Sequence, residues 1–157
     1  MPSSSSPVDP LARVCALLNQ HQAAYLVVGA QACILHGLVR TTEDVDILIE
    51  ESEENCQRVI DALSQLEDRA AAELTPRDLV ENVVVKVADE VEVDVSRRAW
   101  KISYEEAAPS ALSVDIEGVT VPYVSLEILM ATKDTYREQD QLDLAQLREL
   151  ARRRADG

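Results

Sequence analysis

Residues 27–50, "VVGAQACILHGLVRTTEDVDILIE", decide the fold of this chain. An apolar strand runs into Gly29-Ala30, a short helix-like segment follows, and a second strand then carries Asp44 and Asp46. Acidic residues are depleted in strands, and alternate residues of a strand share one face, so these two carboxylates repel each other. Because a bound cation would remove that repulsion, the pair is a candidate metal site.

The composition bounds the fold class and the compartment. At 157 residues we expect a single domain over residues 9–157, after a polar, disordered tail over residues 1–8. The hydrophobic fraction is 46%, and Phe is absent, so the core must be aliphatic. No apolar run approaches the roughly 18 residues that cross a bilayer, and the first residues lack the pattern of a secretory signal. We therefore expect a cytoplasmic protein without membrane contact.

The net charge bears on nucleic-acid binding, and the cysteine spacing bears on zinc binding and disulfides. A formal net charge of −14 disfavours a broad nucleic-acid-binding face, because phosphate contacts need Lys and Arg. Basic clusters at residues 97–101 and 152–154 leave room for a local nucleic-acid contact, although the second is typical of the last turn of a helix. The cysteines show no CxxC or Cys/His spacing, so reduced, buried thiols are expected at Cys15, Cys33 and Cys56.

Helix and strand signals alternate along the chain and favour an α+β domain with a mixed sheet. Capping residues before apolar-periodic segments predict helix starts at Asp9-Pro10, Ser52, Thr75-Pro76, Ser125 and Asp140. Alternating apolar stretches around Asp89-Glu90 and Glu117-Gly118 predict β-hairpins. Trp100 is expected to be a core or edge aromatic.

The stretch "VEVDV", residues 91–95, again alternates valines with acids. The alternation buries the valines and turns Glu92 and Asp94 to the opposite face. If this strand lies beside the first, Asp94 joins Asp44 and Asp46 as a third carboxylate, with Glu92 as an alternative ligand. The first two aspartates are about 6.6 Å apart along their strand, a spacing that suits two divalent ions about 3.5–4 Å apart. Carboxylates without lysine partners favour hard cations, so Mg²⁺ is expected, with Mn²⁺ as a substitute.

Gly29 and Ala30, between a strand and a short helix, predict the other half of such a site. Without a Cβ at Gly29 a phosphate can approach the backbone, and the helix N-terminus offers free N–H groups. A strand–glycine–helix turn and an acidic pair are each common alone. Their order along this chain predicts a nucleotide site.

The pattern resembles that of the DNA polymerase beta superfamily of nucleotidyltransferases. In this sequence it consists of Val28-Gly29-Ala30 and, after a gap, Asp44-Val45-Asp46-Ile47. "GAQACILHGLVRTTEDVD" is similar to the motif of minimal nucleotidyltransferases related to the AbiEii toxin and HEPN-associated antitoxin groups. "VPYVSLEILMATKDTYREQDQLDLAQL" resembles their C-terminal segment of Ser-Leu-Glu, a downstream Lys and Arg-x-x-Asp-x-x-Asp. The resemblance covers about residues 24–150.

The resemblance implies a nucleotidyltransferase fold, with a mixed central sheet flanked by helices. The implied reaction transfers a nucleoside monophosphate from an NTP to a hydroxyl of a protein, small molecule or RNA, and a toxin or antitoxin partner is implied as well. The implied catalytic and metal-binding residues are Asp44, Asp46 and Asp94, which would hold two Mg²⁺ ions while Asp94 helps to deprotonate the attacking hydroxyl. The implied nucleotide-binding residues are Gly29, Ala30, Arg40 and Lys133.

One departure from the family pattern supports an alternative function. The second small residue is usually Ser or Gly in the family, and Ala30 lacks the hydroxyl that serine would add to the phosphate cradle. The alternative is a nucleotidyltransferase-fold binding module with weak or no transfer, acting as a toxin–antitoxin partner.

Several candidate residues also have structural interpretations. Arg40 could neutralise Asp44 or Asp46 instead of contacting phosphate. Lys133 could simply lie exposed on the surface of its helix. His36 precedes a C-cap glycine and is expected to be structural. The expected capping residues of the last helix are Asp140 and Asp143, which would otherwise pair with Lys133 or Arg137.

Overall fold

The computed structural model describes residues 7–156. Most of the tail predicted over residues 1–8 lies outside the described residues. Within residues 7–156, no helix is both long enough and apolar enough to cross a membrane.

A six-stranded mixed sheet forms the centre of the molecule, with the strand order β3-β4-β2-β1-β8-β7. Strand β1 is antiparallel to β2 and parallel to β8, while β2 is parallel to β4. The outer pairs are the two predicted hairpins, β3–β4 and β7–β8. The strands are β1 (Tyr25–Val28), β2 (Val45–Ile49), β3 (Val84–Ala88), β4 (Glu92–Ser96), β5 (Arg98–Ala99), β6 (Ile102–Ser103), β7 (Leu112–Ile116) and β8 (Val119–Tyr123).

Strands β5 and β6 form a separate small hairpin directly after β4, and the sequence did not predict it. Each of its strands has only two residues, which is too short to show a period of two. Its turn places Trp100 outside the core, with 44% of the residue exposed. Of the two positions expected for Trp100, core or edge, the core position is therefore wrong.

Seven α-helices flank the sheet in the described part of the chain. Four of the predicted N-caps are present. In each, the side chain accepts a hydrogen bond from the backbone N–H of the third residue of the helix; these caps are Asp9, Ser52, Thr75 and Ser125. The helices are α1 (Pro10–Gln20), α2 (Gly29–Leu35), α3 (Glu53–Leu63), α4 (Pro76–Glu81), α5 (Tyr104–Ala107), α6 (Leu126–Lys133) and α7 (Glu138–Asp156).

The last helix differs from the prediction at its start. Helix α7 begins at Glu138, so Asp140 lies within its first turn instead of opening it. Asp140 uses its carboxylate to bind Lys133 and Thr135. The predicted capping role of Asp140 is wrong because these side chains, which precede the helix, occupy its oxygens.

The core is aliphatic, as the absence of Phe predicts, and it covers the inner strands on both faces. Helix α1 packs against α3 and β8, and α2 packs against β1 and β2. All three cysteines are buried and free, and burial raises the pKa of their thiols. The largest fully buried side chains include Leu18, Ile47, Leu48, Ile49, Leu63 and Leu66.

Candidate active site

Asp46 and Asp94 lie side by side on the sheet. Strands β2 and β4 are parallel neighbours, and their register pairs Asp46 with Asp94. Residues in register on adjacent strands point to the same face, so the two carboxylates share one surface. The residues before and after each aspartate point to the opposite face and are buried: Val45, Ile47, Val93 and Val95. The strand adjacency expected from the two acidic patterns is therefore present.

The acidity of Asp46 is strongly changed by this arrangement. Burial raises the pKa of its carboxyl to about 7, and a hydrogen bond with Asp94 together with the charge of Asp94 adds to the rise. The positive charge of Lys133 acts in the opposite direction. Two carboxylates in this position are costly to ionise together unless a cation joins them.

The backbone at Gly29 lies directly against the carboxylate of Asp46. A Cβ added at Gly29 would be 2.9 Å from Asp46 Cγ, and closer still to Asp46 Oδ2. The φ angle of Gly29 is +68°, in the left-handed region that favours glycine. Val28, which precedes α2, makes no side-chain cap, so the first N–H groups of α2 lack a capping side chain. Glycine is thus required twice here, for its conformation and for its close approach to Asp46.

A second acidic group lies at the edge of the same site. Asp44, Glu92 and Asp94 each offer a carboxylate oxygen, and these oxygens lie within 4.8 Å of one another. Asp44 is exposed, and the other two residues are half-buried. Carboxylate oxygens are the donors that hard divalent cations prefer, so the donor set fits Mg²⁺ or Mn²⁺. The geometry places Glu92, the alternative third ligand, in this group beside Asp94.

The structure corrects the expectation that the carboxylates have no lysine partner. Lys86 Nζ lies 3.3 Å from Asp94 Oδ1 and 3.3 Å from Glu92 Oε2. The hairpin register places Lys86 directly opposite Asp94 on the edge strand β3. The Lys86 side chain is 65% exposed, so its ammonium group can turn to solvent when another cation binds.

Lys133 is buried, so the alternative interpretation that it lies exposed on its helix is wrong. Its Nζ lies 2.9 Å from Asp143 Oδ2 and 3.4 Å from Asp140 Oδ1. Burial alone would raise the pKa of Asp143, but the hydrogen bond and charge of Lys133 and further hydrogen bonds from Gln139 and Arg40 hold it below its usual value. Asp140 and Asp143 therefore act as ion-pair partners, and the predicted capping of α7 is replaced by these pairs.

Arg40 belongs to the same ion-pair group. Its Nη1 lies 2.5 Å from Asp143 Oδ2. The interpretation that it neutralises Asp44 or Asp46 is wrong, because its guanidinium binds Asp143 instead. The pair joins the loop after α2 to α7, two segments that are far apart in the sequence.

His36 occupies the structural position that was predicted for it. Its Nε2 lies 2.8 Å from the carbonyl oxygen of Val124, and Arg154 Nη2 donates to the His36 carbonyl at 2.9 Å. Burial lowers the pKa of His36. The ring therefore ties α2 to the end of β8 and to the last turns of α7.

Comparison with known sequences finds no relative of this chain, whereas comparison with solved structures finds proteins of similar fold. No protein-family model matches the sequence, and a search of curated proteins finds no relative. Among solved structures, the lincosamide antibiotic adenylyltransferase LnuA, determined with lincomycin bound, is similar with a TM-score of 0.59 and 14% identity. That similarity covers 94% of this chain and 99% of LnuA.

Two further solved structures show the same likeness. An antigenic nucleotidyltransferase-like protein from Paracoccidioides brasiliensis has a TM-score of 0.52 at 16% identity, covering 90% of this chain and 77% of that one. A candidate nucleotidyltransferase from Thermotoga maritima has a TM-score of 0.51 at 16% identity, covering 92% of this chain and 88% of that one. At these identities the likeness is one of fold. The chain described here has the α+β nucleotidyltransferase fold.

Proposed function

We propose that this protein is a metal-dependent nucleotidyltransferase, which transfers a nucleoside monophosphate from an NTP to a hydroxyl acceptor and releases pyrophosphate. The observation that carries the proposal is the register of β2 and β4, which sets Asp46 beside Asp94 while Gly29 lies against Asp46. Asp94 on β4 is in register with Asp46 on β2, and Asp44 directly precedes β2 and has a carboxylate oxygen within 4.8 Å of one of Asp94.

Asp44, Asp46 and Asp94 would hold the metal, with two Mg²⁺ ions expected and Mn²⁺ as a substitute. Glu92 lies close enough to Asp44 and Asp94 to complete the oxygen set. Bound Mg²⁺ supplies positive charge to the transferred phosphoryl group and to the leaving pyrophosphate. Burial raises the pKa of Asp46 and the neighbouring Asp94 adds to the rise, and a bound cation would oppose both effects.

The remaining residues have proposed roles in positioning. Backbone N–H groups at Gly29 and Ala30 bind the triphosphate, because Gly29 has no side chain to keep phosphate away. Lys133 and Arg40 supply positive charge beside the carboxylates, from positions held by Asp143. Asp94, half-buried and at the sheet face, accepts the proton of the attacking hydroxyl.

The acceptor and the partner are inferred from charge and from the sequence motifs. A net charge of −14 favours a protein or small-molecule acceptor over RNA. Similarity to the AbiEii and HEPN-associated groups rests on the sequence motifs and supports a toxin–antitoxin partner in the cytoplasm. Ala30 supports the alternative of a binding module with weak transfer, since it contributes no hydroxyl to the phosphate cradle.

Labelled nucleotides test the proposal. The purified protein is incubated with each NTP, labelled at the α-phosphate, and Mg²⁺, with and without cell lysate. We expect label to be transferred and pyrophosphate to be released, and Asp94→Asn to abolish both. Asp61→Asn, which removes an exposed carboxylate on α3, is the control and should behave as the wild-type protein does.

The other outcomes separate the alternatives. Nucleotide binding with Mg²⁺ but without transfer of label, in every NTP and lysate tested, would support the binding module. Absence of both transfer and nucleotide binding would overturn the proposal.

A further inference from the structure

One basic side chain lies between two of the carboxylates that are proposed to hold the metal. Lys86 Nζ lies 3.3 Å from Glu92 Oε2, 3.3 Å from Asp94 Oδ1 and 3.4 Å from Asp94 Oδ2. Both oxygens of Asp94 therefore face the ammonium group. Over residues 7–156, Lys86 is the only basic residue that forms an ion pair with Asp44, Glu92 or Asp94.

Strand pairing fixes the backbone of this lysine beside the carboxylates. On the β3–β4 hairpin, Lys86 is the direct partner of Asp94, and Ala88 is the partner of Glu92. Paired residues point to the same face of the sheet, while the next residue, Val87, points to the opposite face and is buried. The lysine stem therefore stays on the acidic face even when its end group moves.

A lysine on an edge strand also has a simpler use, which is to keep another chain from pairing with that edge. Strand β3 is such an edge strand. That use requires a charge that points outward into solvent. The ammonium group of Lys86 is instead directed toward β4, where it contacts both acids at once. Protection of the edge does not account for this direction.

The contacts of Lys86 are loose compared with those of the buried Lys133. Hydrogen bonds between an ammonium group and a carboxylate are about 2.7–2.9 Å long. Lys133 Nζ lies 2.9 Å from Asp143 Oδ2, whereas the contacts of Lys86 are 3.3–3.4 Å long. The Lys86 side chain is 65% exposed, against 11% for Lys133. Water screens such an exposed pair, so the ammonium group of Lys86 is easily displaced.

A metal ion and this ammonium group need the same oxygens. Mg²⁺ binds carboxylate oxygens at about 2.0–2.1 Å and carries twice the charge of an ammonium group. If Asp94 holds the metal, an ammonium group 3.3 Å from Asp94 Oδ1 lies within a few ångströms of a divalent cation and is repelled by it. Lys86 therefore has to leave the carboxylates when the metal binds.

We propose that Lys86 is a displaceable counter-ion of the metal site, which the metal expels and which then binds a phosphate group of the nucleotide. This inference rests on the proposed function. After displacement the flexible lysine stem still holds the ammonium group at the edge of the site, where the triphosphate supplies anionic oxygens. Lys86 thus opposes the binding of metal alone and favours the binding of metal together with nucleotide. One side chain couples the two ligands.

Binding of Mn²⁺ alone tests the competition. Free Mn²⁺ is measured by electron paramagnetic resonance during titration of the full chain, without nucleotide and at constant KCl. We expect Lys86→Met to bind Mn²⁺ about tenfold more tightly than the wild-type protein does. Lys86→Arg keeps the charge and should bind Mn²⁺ no more tightly than the wild-type protein. The matched control is Lys101→Met, which removes the same charge from an exposed lysine beyond β5 and should leave the affinity unchanged.

Nucleotide affinity tests the second half of the proposal. The α,β-methylene analogues of ATP, GTP, CTP and UTP, which resist transfer, are titrated by calorimetry in EDTA and in saturating Mn²⁺. The ratio of the two affinities measures the coupling between metal and nucleotide. We expect Mn²⁺ to strengthen nucleotide binding to the wild-type protein, and Lys86→Met to reduce this ratio about tenfold. Lys101→Met should keep the wild-type ratio.

The outcomes distinguish failure of the counter-ion from failure of the proposed function. If the wild-type protein binds Mn²⁺ and nucleotide but Lys86→Met binds Mn²⁺ no more tightly, or keeps the wild-type coupling, the counter-ion is wrong and the proposed function stands. Equal tightening in Lys101→Met would assign the effect to net charge and would also overturn the counter-ion. If neither the wild-type protein nor Lys86→Met binds Mn²⁺, with or without nucleotide, both proposals fail together.

Discussion

Asp46 combines burial with a neighbouring carboxylate, and both oppose its ionisation. Its pKa in the folded protein is raised to about 7 from the ordinary value of 3.8. Between these values the unfolded chain loses the proton while the folded protein keeps it. The raised pKa therefore makes the metal-free fold less stable as the pH rises through this interval.

A pH series on metal-free protein checks this residue. In EDTA, the contribution of Asp46 should lower the free energy of unfolding from about pH 4 to about pH 7, by at most about 1.4 kcal/mol per pH unit. Asp46→Asn should lose this contribution and should be more stable than the wild-type protein above pH 7. Urea unfolding at several pH values measures the difference, and identical pH profiles for the two proteins would contradict the assignment.

At the scale of elements, the junction of α6 and α7 is organised around a buried charge. Lys133 at the end of α6 binds Asp140 and Asp143 on α7, and Arg40 reaches Asp143 from the loop after α2. Removing one partner of a buried ion pair leaves an uncompensated charge, which is costly. This group holds α7 against α6 and against the loop that follows α2.

Lys133→Met should lower the free energy of unfolding at pH 7 by about 3 kcal/mol. The pKa values of Asp140 and Asp143 are lowered in the folded protein. Their contribution to the free energy of unfolding is therefore fully present above pH 3.8, the ordinary pKa of Asp. It is lost as the pH falls through the lower pKa values of the folded protein. The difference between variant and wild type should therefore shrink below about pH 4. Denaturant unfolding at pH 7 and at pH 3 measures it.

Lys86→Met is the matched control, since Lys86 also pairs with two acids but has a side chain that is 65% exposed. Water and salt screen an exposed pair, so the loss of Lys86 should change the free energy of unfolding far less than the loss of Lys133 does. Equal effects of the two substitutions would show that burial of Lys133 has no energetic consequence.

At the scale of the whole molecule, an excess of negative charge surrounds a cluster of carboxylates. Ligands that bind only the folded state stabilise it by about 2.7 kcal/mol at 100 times their Kd. For a domain of this size, Mg²⁺ with a bound NTP should then raise the melting temperature by about 5–10 °C. Asp44→Asn combined with Asp46→Asn should abolish the increase.

General screening has to be separated from binding in that measurement. Salt alone weakens repulsion in a protein with a net charge of −14, so KCl at matched ionic strength is the reference. An increase that KCl reproduces, or that survives in the double variant, would contradict a specific metal–nucleotide site.

Short-range patterns in the sequence determined the carboxylate face and the glycine turn. Alternation with a period of two predicts which side of β2 and β4 carries Asp46 and Asp94, because a strand turns successive side chains to opposite faces. Capping residues likewise predicted the starts of α1, α3, α4 and α6, since a cap and its N–H partner lie within one turn. These features depend on residues close together in the chain.

Only the tertiary structure decided which distant residues meet at the site. The register of the β3–β4 hairpin placed Lys86 opposite Asp94, and helix packing buried Lys133 between two aspartates that the sequence had suggested as caps. Elsewhere in the fold, the contact of Trp100 with Tyr136 joins a hairpin too short to show periodicity to a loop between helices. Strand register and helix packing are set by the whole core. Residues dozens of positions apart therefore become partners although no local sequence pattern indicates the contact.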